Sequence, residues 1–173
     1  MTVWDAIRHR RAIRRFADRP LEAAHLDRIL QAGRRAGSSK NLQRWDFIVI
    51  RDRGRLAELS RLGRWAFHLA GAAAGIALVT PGPRTGGQPL SVMFDLGQAA
   101  ENMMLIAWEL GIGSVPATIY EQTEARRVLG YPEDHHCEYI LSFGYPADPR
   151  DLARPLRPGG RRPLEEIVHD ERW

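Results

Sequence analysis

The segment from Val92 to Leu110 constrains the fold more than any other part of the sequence. It is the most hydrophobic stretch of the chain, and its apolar residues recur on nearly every face of a helix. A helix that is apolar on most faces is buried inside its domain or shared with a partner subunit. Gly111 ends this helix. The polar residues fall roughly on one stripe: Asp95, Gln98, Asn102 and Glu109.

Shorter helical and extended segments alternate loosely around this central helix. A first helix is predicted to start at Thr2 and to run toward an arginine-rich stretch. The chain has no internal repeat or break in composition, and 173 residues can bury a real core. We therefore predict a single α+β domain over residues 1–173, with a mostly antiparallel or mixed sheet flanked by helices. The further predicted helices are 21–35, 55–62 and 121–129, and the predicted strands are 46–50, 76–79, 113–120 and 139–145.

The stretch from Arg8 to Phe16 carries the strongest local charge. Five of its first eight residues are arginine, so the stretch repels itself and needs open solvent or an anionic partner. That anion could be nucleic acid, a membrane surface or the phosphate of a small cofactor. The net charge of only +4 gives weak support for nucleic acid.

The last part of the chain, about residues 146–173, is rich in proline. Such an extension cannot form a core alone, so we expect it to lie on another surface of its own chain or of a neighbour. No apolar run is long enough to span a bilayer and no signal peptide is recognisable, so we expect a cytoplasmic protein without a membrane partner.

Several kinds of catalytic site are missing from the sequence. Cys137 is the only cysteine, which excludes an intramolecular disulfide. We interpret His135-His136-Cys137 as a surface turn followed by a core thiol rather than as a metal or nucleophile site. No phosphate-binding glycine loop, nucleophile elbow, metalloprotease helix or paired carboxylates are found. If the protein is an enzyme, a cofactor therefore carries the difficult chemistry.

Four ordered segments together resemble the flavin-dependent nitroreductase family. They span nearly the whole chain, and although each one alone is a weak signal, the ordered set is fairly specific. The segments are 10–16 (RRAIRRF), 38–45 (SSKNLQRW), 95–102 (DLGQAAEN) continuing to 111–113 (GIG), and 144–146 (GYP) followed by 161–164 (RRPL).

The resemblance implies an FMN-binding homodimer in which each flavin site is built from both chains. It implies a nitroreductase-like, domain-embracing dimer, with the helix around 102–108 in the dimer core and the tail from about 146 to 173 extending over the partner. The flavin would carry the chemistry, so no catalytic side chain and no metal are expected.

Six positions match the part of the family site that holds the FMN phosphate and the nearby flavin edge. Arg14 would lie nearer the pyrimidine edge of the ring. Two departures from the family pattern are Ala12, where the family has serine, and Gly159, where it often has lysine. The alternative for the arginines is a solvated basic helix end, and we expect Arg8 and Arg15 to be ordinary solvated charges. The six matched positions are Arg10, Arg11, Ala12, Arg14, Arg161 and Arg162.

A second group matches the positions around the flavin ring. The loop at residues 38–41 would reach the flavin from the partner subunit, although a simple helix stop is the alternative, and Gly37 and Arg44 replace two family prolines. Backbone N–H groups of residues 116–119 would face flavin N5 and O4. His68 would contact the pyrimidine ring or, equally, pack beside Trp65 and Phe67. The matched positions are Ser38, Ser39, Asn41, His68, Pro116, Ala117, Thr118 and Ile119.

The implied activity is that of an NAD(P)H oxidoreductase with a ping-pong reaction. NADH or NADPH would deliver hydride to flavin N5, and a nitroaromatic, quinone or related acceptor would then take two electrons. The alternatives are an arginine-rich nucleic-acid-binding module and a flavin-binding protein without turnover. The sequence leaves open the acceptor, the choice between NADH and NADPH, and whether the loop at 81–89 acts as a lid.

Overall fold

The structure is a computed structural model that describes residues 2–82, 91–155 and 160–173. Its centre is one antiparallel sheet with the strand order β1-β2-β4-β3. The strands are β1 (Asp46–Ile50), β2 (Ala74–Pro81), β3 (Gly113–Thr118) and β4 (His135–Gly144). The helices are α1 (Val3–His9), α2 (Ala23–Arg34), α3 (Arg53–Leu59), α4 (Ser91–Glu109) and α5 (Gln122–Leu129). Short 3-10 turns lie at Ser39–Asn41, Ala66–Gly71, Pro149–Leu152 and Leu164–Glu166. The predicted α+β class with an antiparallel sheet is confirmed.

The sheet separates two apolar cores because successive side chains of a strand point to opposite faces. Ile76 and Leu78 of β2 pack with α2 and α4 on one face. Ala77 and Val79 pack on the other face with α3, α5 and the turn at 66–71. The helix predicted from its apolar residues is α4, and it carries much of the first core.

One detail of the predicted secondary structure is wrong. His135 and His136 lie in β4, where they pair with Pro81 and Thr80 of β2, and not in a surface turn. The ladder between distant strands extends β4 toward its start, which local residue preferences do not reveal. Cys137 is the predicted core thiol: it is fully buried, and burial raises its pKa to about 12.

The arginine stretch continues from α1 as an extended segment along one end of the sheet. The Ile13 N–H donates to the Ser114 carbonyl at 3.1 Å, and the Ala17 N–H donates to the Tyr145 carbonyl at 2.8 Å. Gly113 makes this close approach possible, because a Cβ there would lie 2.5 Å from the Cβ of Ile13. The sheet therefore fixes the path of residues 12–17.

The described part of the tail, residues 160–173, is exposed along its whole length. It contains apolar side chains that no core of the chain covers: Leu164, Ile167, Val168 and Trp173. α1 exposes three more: Val3, Trp4 and Ile7. Among the described residues, no helix combines the length and apolar character needed to cross a membrane.

Candidate functional site

A cavity of about 520 Å³ lies between the end of α1 and the tail. We call it the Arg10 cavity. It brings Arg161 to the arginines at the end of α1 and just after it, across about 150 residues of chain. Arg162 points elsewhere, because its Nη2 donates to the Glu166 carbonyl at 2.7 Å and its Nε lies 3.2 Å from the Glu166 carboxylate. The lining residues are Trp4, Ile7, Arg8, Arg10, Arg11, Ala12, Gly160 and Arg161.

The Arg10 cavity is strongly cationic. Arg10 forms an ion pair with Glu101 of α4 at 2.9 Å. Within the described residues, Arg11 and Arg161 form no ion pair with a carboxylate, whereas the charge of Arg8 acts on Asp5 of α1. Arg11 lies 5.8 Å from the Trp108 ring centre. Four guanidinium groups around one pocket, with one carboxylate, suit an anion with several acceptor oxygens, such as phosphate.

A second arginine-lined cavity, of about 480 Å³, shares Arg11 and Ala12 with the first. We call it the Arg14 cavity. Its carboxylate, Asp151, pairs with Arg154 at 3.0 Å. Arg154 also pairs with Asp148 at 2.8 Å. The lining residues are Arg11, Ala12, Ile13, Arg14, Arg15, Asp151, Arg154 and Pro155.

β3 forms the edge of the sheet beside the Ser114 bridge to the arginine segment. The Ile119 N–H donates to the Glu138 carbonyl at 2.9 Å, which directs it toward β4. Successive backbone N–H groups of an antiparallel strand point to opposite sides, so the Thr118 N–H points away from β4 while that of Ala117 points toward it. Pro116 has no N–H. Of the four predicted backbone positions, Thr118 alone can offer a donor at this edge.

His68 lies in the interior, 3% exposed, and its Nδ1 is 2.7 Å from the Ser142 hydroxyl. Burial lowers the pKa of His68 to about 4; the positive charge of Arg14 lowers it further, and a hydrogen bond with the Pro116 backbone opposes the shift. The ring is therefore neutral at neutral pH. Its contacts match the alternative of a packed histidine, beside the Phe67 ring at 5.8 Å.

In the loop after α2, Ser39 and Asn41 are exposed and Ser38 is half-buried. The Ser39 N–H donates to the Asp95 carboxylate of α4 at 2.8 Å, and the Ser38 hydroxyl accepts from the Gln43 N–H at 3.0 Å. Three residues of this loop have positive φ: Lys40 (52°), Asn41 (55°) and Gln43 (47°). Such strain persists only where surrounding contacts impose it, and it is common at binding sites. The loop lines neither arginine cavity, so one chain does not unite all the predicted residues.

Some site residues were not singled out by the sequence. Arg8 and Arg15, expected to be ordinary solvated charges, line the two cavities, as does Arg154. Glu101 lies within a recognised motif, yet nothing local indicates that it would pair with Arg10. Only the folded chain places these side chains together.

Two expectations fall on residues that the structure does not describe. Most of the loop at 81–89 lies outside the described residues, and so does Gly159. Within the described ranges, no group of His, Cys, Asp and Glu side chains is arranged to hold a metal ion.

Comparisons with known proteins agree with this geometry. A model of the nitroreductase family matches residues 7–77 and 64–145. A protein of Archaeoglobus fulgidus, provisionally named NADH dehydrogenase/NAD(P)H nitroreductase, is 34% identical over 169 residues, which cover 95% of this chain and 94% of that protein. The NADPH-flavin oxidoreductase of Vibrio harveyi is 25% identical, over 94% of this chain and 71% of its own length.

A similar solved structure is the FMN-dependent nitroreductase of Clostridium difficile R20291. It superposes with a TM-score of 0.82 at 27% identity, and the match covers 97% of this chain and 98% of that one. The resemblance therefore extends over the whole fold and includes the elements that carry both arginine cavities.

Proposed function

This chain belongs to the nitroreductase family, and we propose that it is an FMN-dependent NAD(P)H oxidoreductase that works as a homodimer. The observation that carries the proposal is the Arg10 cavity, where Arg161 of the tail meets Arg10 and Arg11 of the α1 end. A phosphate monoester carries close to two negative charges and three acceptor oxygens, which suits unpaired guanidinium groups.

The residues present fit FMN. Its phosphate would lie in the Arg10 cavity, which retains cationic groups that no carboxylate neutralises. The Ala12 backbone would lie beside the phosphate, without the hydroxyl of the family serine. The Thr118 N–H would face the reactive edge of the ring, and Arg14 would face the pyrimidine edge, where positive charge stabilises a reduced anionic flavin. When bound, FMN supplies hydride transfer at N5 from NAD(P)H and two-electron reduction of an acceptor.

The protein's own groups bind and orient in this proposal. His68 is neutral and hydrogen-bonded to Ser142 of β4 and to the Pro116 backbone of β3, so it supports the sheet there without adding a charge. Both substrates would occupy the same ring face in turn, which makes the reaction ping-pong. The acceptor would be a nitroaromatic, a quinone or a related compound.

The predicted flavin-site residues lie in two separate places on one chain, the arginine cavities and the loop at 38–41, and this separation supports a dimer. The loop at 38–41 carries exposed polar groups but lines neither arginine cavity, so we infer that it completes the partner's flavin site. The exposed apolar residues of α1 and of the tail give such an interface an apolar component.

Flavin binding by matched arginine variants tests the proposal. Purified protein should be yellow and should bleach when NADH or NADPH is added anaerobically. Arg161→Ala should weaken FMN binding roughly tenfold to a hundredfold, because it removes charge-assisted bonds to phosphate. Arg162→Ala is the control and should change the Kd by less than about twofold, since Arg162 contacts Glu166 instead.

Other results would contradict the proposal. A colourless protein that takes up no added FMN would exclude both flavin functions, and salt-sensitive retention on nucleic acid would then favour the nucleic-acid-binding alternative. Bound flavin that neither NADH nor NADPH reduces would leave a flavin-binding protein without turnover.

A further inference from the structure

We propose that Trp65 and Phe67, together with the guanidinium group of Arg64, bind the electron acceptor and favour a flat aromatic acceptor that carries a negatively charged group. This inference rests on the proposed function and deepens it, because that function leaves the class of acceptor open. The three residues belong to residues 63–68, which lie between α3 and β2. We call residues 63–68 the aromatic segment.

The aromatic segment follows the outer edge of β3. Alternate residues of this strand, Pro116 and Thr118 among them, turn their backbone groups away from β4. His68 hydrogen-bonds to the Pro116 backbone at one point of this edge. At the next point, Gly63 approaches the Thr118 carbonyl so closely that a Cβ on Gly63 would overlap its oxygen. The aromatic segment therefore spans the part of the edge that presents the Thr118 N–H.

The arginine segment meets the same edge at another point. The Ser114 carbonyl accepts from the Ile13 N–H at 3.1 Å, which places this contact four residues before Thr118. At about 3.4 Å per residue, the two points are about 14 Å apart along the strand. In the proposed function the phosphate lies at the arginine end and the reactive edge of the ring lies at Thr118. The aromatic segment therefore adjoins the ring and not the phosphate.

The large rings of this segment face solvent. Trp65 is 64% exposed and Phe67 is 58% exposed, whereas Ala66 and His68 between and after them are buried. Tyr120, which directly follows the Thr118 edge, is 59% exposed as well. A group of exposed apolar rings beside a binding site is a surface for a ligand. Aromatic rings stack on flat partners, so the ligand that these residues suit is itself a flat ring.

Arg64 adds a positive charge to this surface. Its Cζ lies 5.3 Å from the Trp65 ring centre, and it forms no ion pair with a carboxylate among the described residues. A ring stacked on Trp65 would place a carboxylate on its rim within reach of this guanidinium group. The nicotinamide ring carries no negative charge, so Arg64 would discriminate between acceptors and not between reductants.

A nitroaromatic carboxylate, 4-nitrobenzoate, is a suitable acceptor for the test. NAD(P)H supplies a hydride and solvent supplies one proton. The nitro group then becomes a nitroso group, and one oxygen leaves as water. The carboxylate takes no part in this change, so it affects binding alone. The neutral analogue 4-nitrobenzyl alcohol undergoes the same reduction without the charge.

Calorimetric titration of the oxidised, FMN-loaded protein tests binding without turnover. Wild-type protein should bind 2-naphthoate at least about tenfold more tightly than cyclohexanecarboxylate, and at least about threefold more tightly than 2-naphthylmethanol. Trp65→Ala and Phe67→Ala should each reduce the preference for the aromatic acid. Arg64→Gln should remove only the preference for the acid over the alcohol.

Steady-state kinetics provide the second readout. Trp65→Ala should raise the KM for both nitro compounds about tenfold, whereas Arg64→Gln should raise only that for 4-nitrobenzoate, by at least about threefold. Arg51→Gln is the matched control, because it removes the same charge from an exposed position after β1, at the opposite edge of the sheet. It should change neither KM. Reoxidation of the reduced protein by O2, which has no ring to stack, should stay within about twofold in all variants.

Equal wild-type affinity for 2-naphthoate and cyclohexanecarboxylate would overturn the proposal, and so would an unchanged preference for the acid in Arg64→Gln. If Trp65→Ala instead moved the dimer–monomer midpoint and released FMN, the rings would be a subunit contact and the proposal would be wrong. Failure of the proposed function gives a different result, since the wild-type protein would then bind no FMN or be reduced by neither NADH nor NADPH.

Discussion

His68 is a buried histidine whose charge depends on the groups packed around it. Burial lowers its pKa to about 4, and the charge of Arg14 acts in the same direction. The unfolded chain, with an ordinary histidine pKa near 6.5, therefore binds more protons than the folded chain between these two values. Stability should fall as the pH drops from about 6.5 toward 4, where the unfolded state alone gains the proton.

Urea unfolding of His68→Phe tests this pH dependence. From pH 7 to pH 5, wild-type protein should lose about 2 kcal/mol through this group. His68→Phe should be less stable at pH 8 by about 1–3 kcal/mol, because the Ser142 hydroxyl loses its partner. Its stability should nevertheless change less with pH than that of the wild type. His169→Phe, at an exposed position, is the control and should show the wild-type pH dependence of stability. If the stability of His68→Phe fell from pH 7 to pH 5 as much as that of the wild type, His68 would not be the group responsible.

Single residues also show how far local sequence could define the candidate site. The motif around residues 10–16 indicates the arginines of the Arg10 cavity, and the tail motif indicates Arg161, with Arg162 beside it. Sequence alone does not show whether Arg162 shares the site. The structure places Arg161 in the cavity and Arg162 against Glu166, because the backbone path of the tail decides which side chain faces α1.

At the scale of elements, the extended segment at 12–17 depends on two glycines at the end of the sheet. A Cβ on Gly113 would lie 2.5 Å from Ile13, and one on Gly144 would lie 2.8 Å from Phe16. Neither distance is possible without displacing the segment. The segment carries Arg14, so packing against these glycines also positions a residue of the proposed site.

Gly113→Ala should therefore affect both stability and cofactor binding. We expect a loss of about 1–3 kcal/mol in the free energy of unfolding, because Ile13 must move. We also expect weaker FMN binding, because the shift displaces Ala12 and Arg14. Gly71→Ala is the control, since a Cβ there meets no atom within 4 Å. Fluorescence titration with FMN and urea unfolding measure the two effects. If Gly113→Ala were destabilised but bound FMN with wild-type affinity, the segment at 12–17 would not contribute to the FMN site.

The bounds of some helices and strands could be predicted from the sequence. The helix at 92–110 was predicted from its apolar residues, and α4 spans Ser91–Glu109. The strand at 46–50 coincides with β1. The start of β4 was missed by four residues, since pairing with β2 sets it. Periodicity reports how one element is buried, whereas the end of a strand depends on what its neighbour can pair with.

At the scale of the whole molecule, the exposed apolar residues of α1 and of the tail bear on the proposed dimer. Trp173 is fully exposed in the single chain, and Leu164 is 68% exposed. If the tail embraces a partner, the protein in solution should have a mass of about 39 kDa, twice the 19.6 kDa of one chain. Light scattering after size-exclusion chromatography measures that mass.

Ile167→Asp should weaken the dimer, because it places a charge on the apolar side of the tail. The dimer–monomer midpoint should move at least about tenfold toward higher protein concentration, and FMN should dissociate as the monomer appears. Arg55→Asp introduces aspartate at an exposed position of α3 and should leave the midpoint unchanged. A wild-type protein that stays at 19.6 kDa and still binds FMN would contradict the dimer-built site.

The fold class, the central helix and the cationic character of the candidate site could all be predicted from the amino-acid sequence. Each of these follows from residue type and local spacing, which are properties of a short stretch of chain. Three features could be seen only in the folded chain: Arg161 lies beside Arg10, Arg14 and Arg15 line a second cavity, and His68 is buried. These features depend on contacts between segments that are distant in the sequence. Such contacts are set by packing in the folded chain and by the close approach of the segment at 12–17 to Gly113 and Gly144.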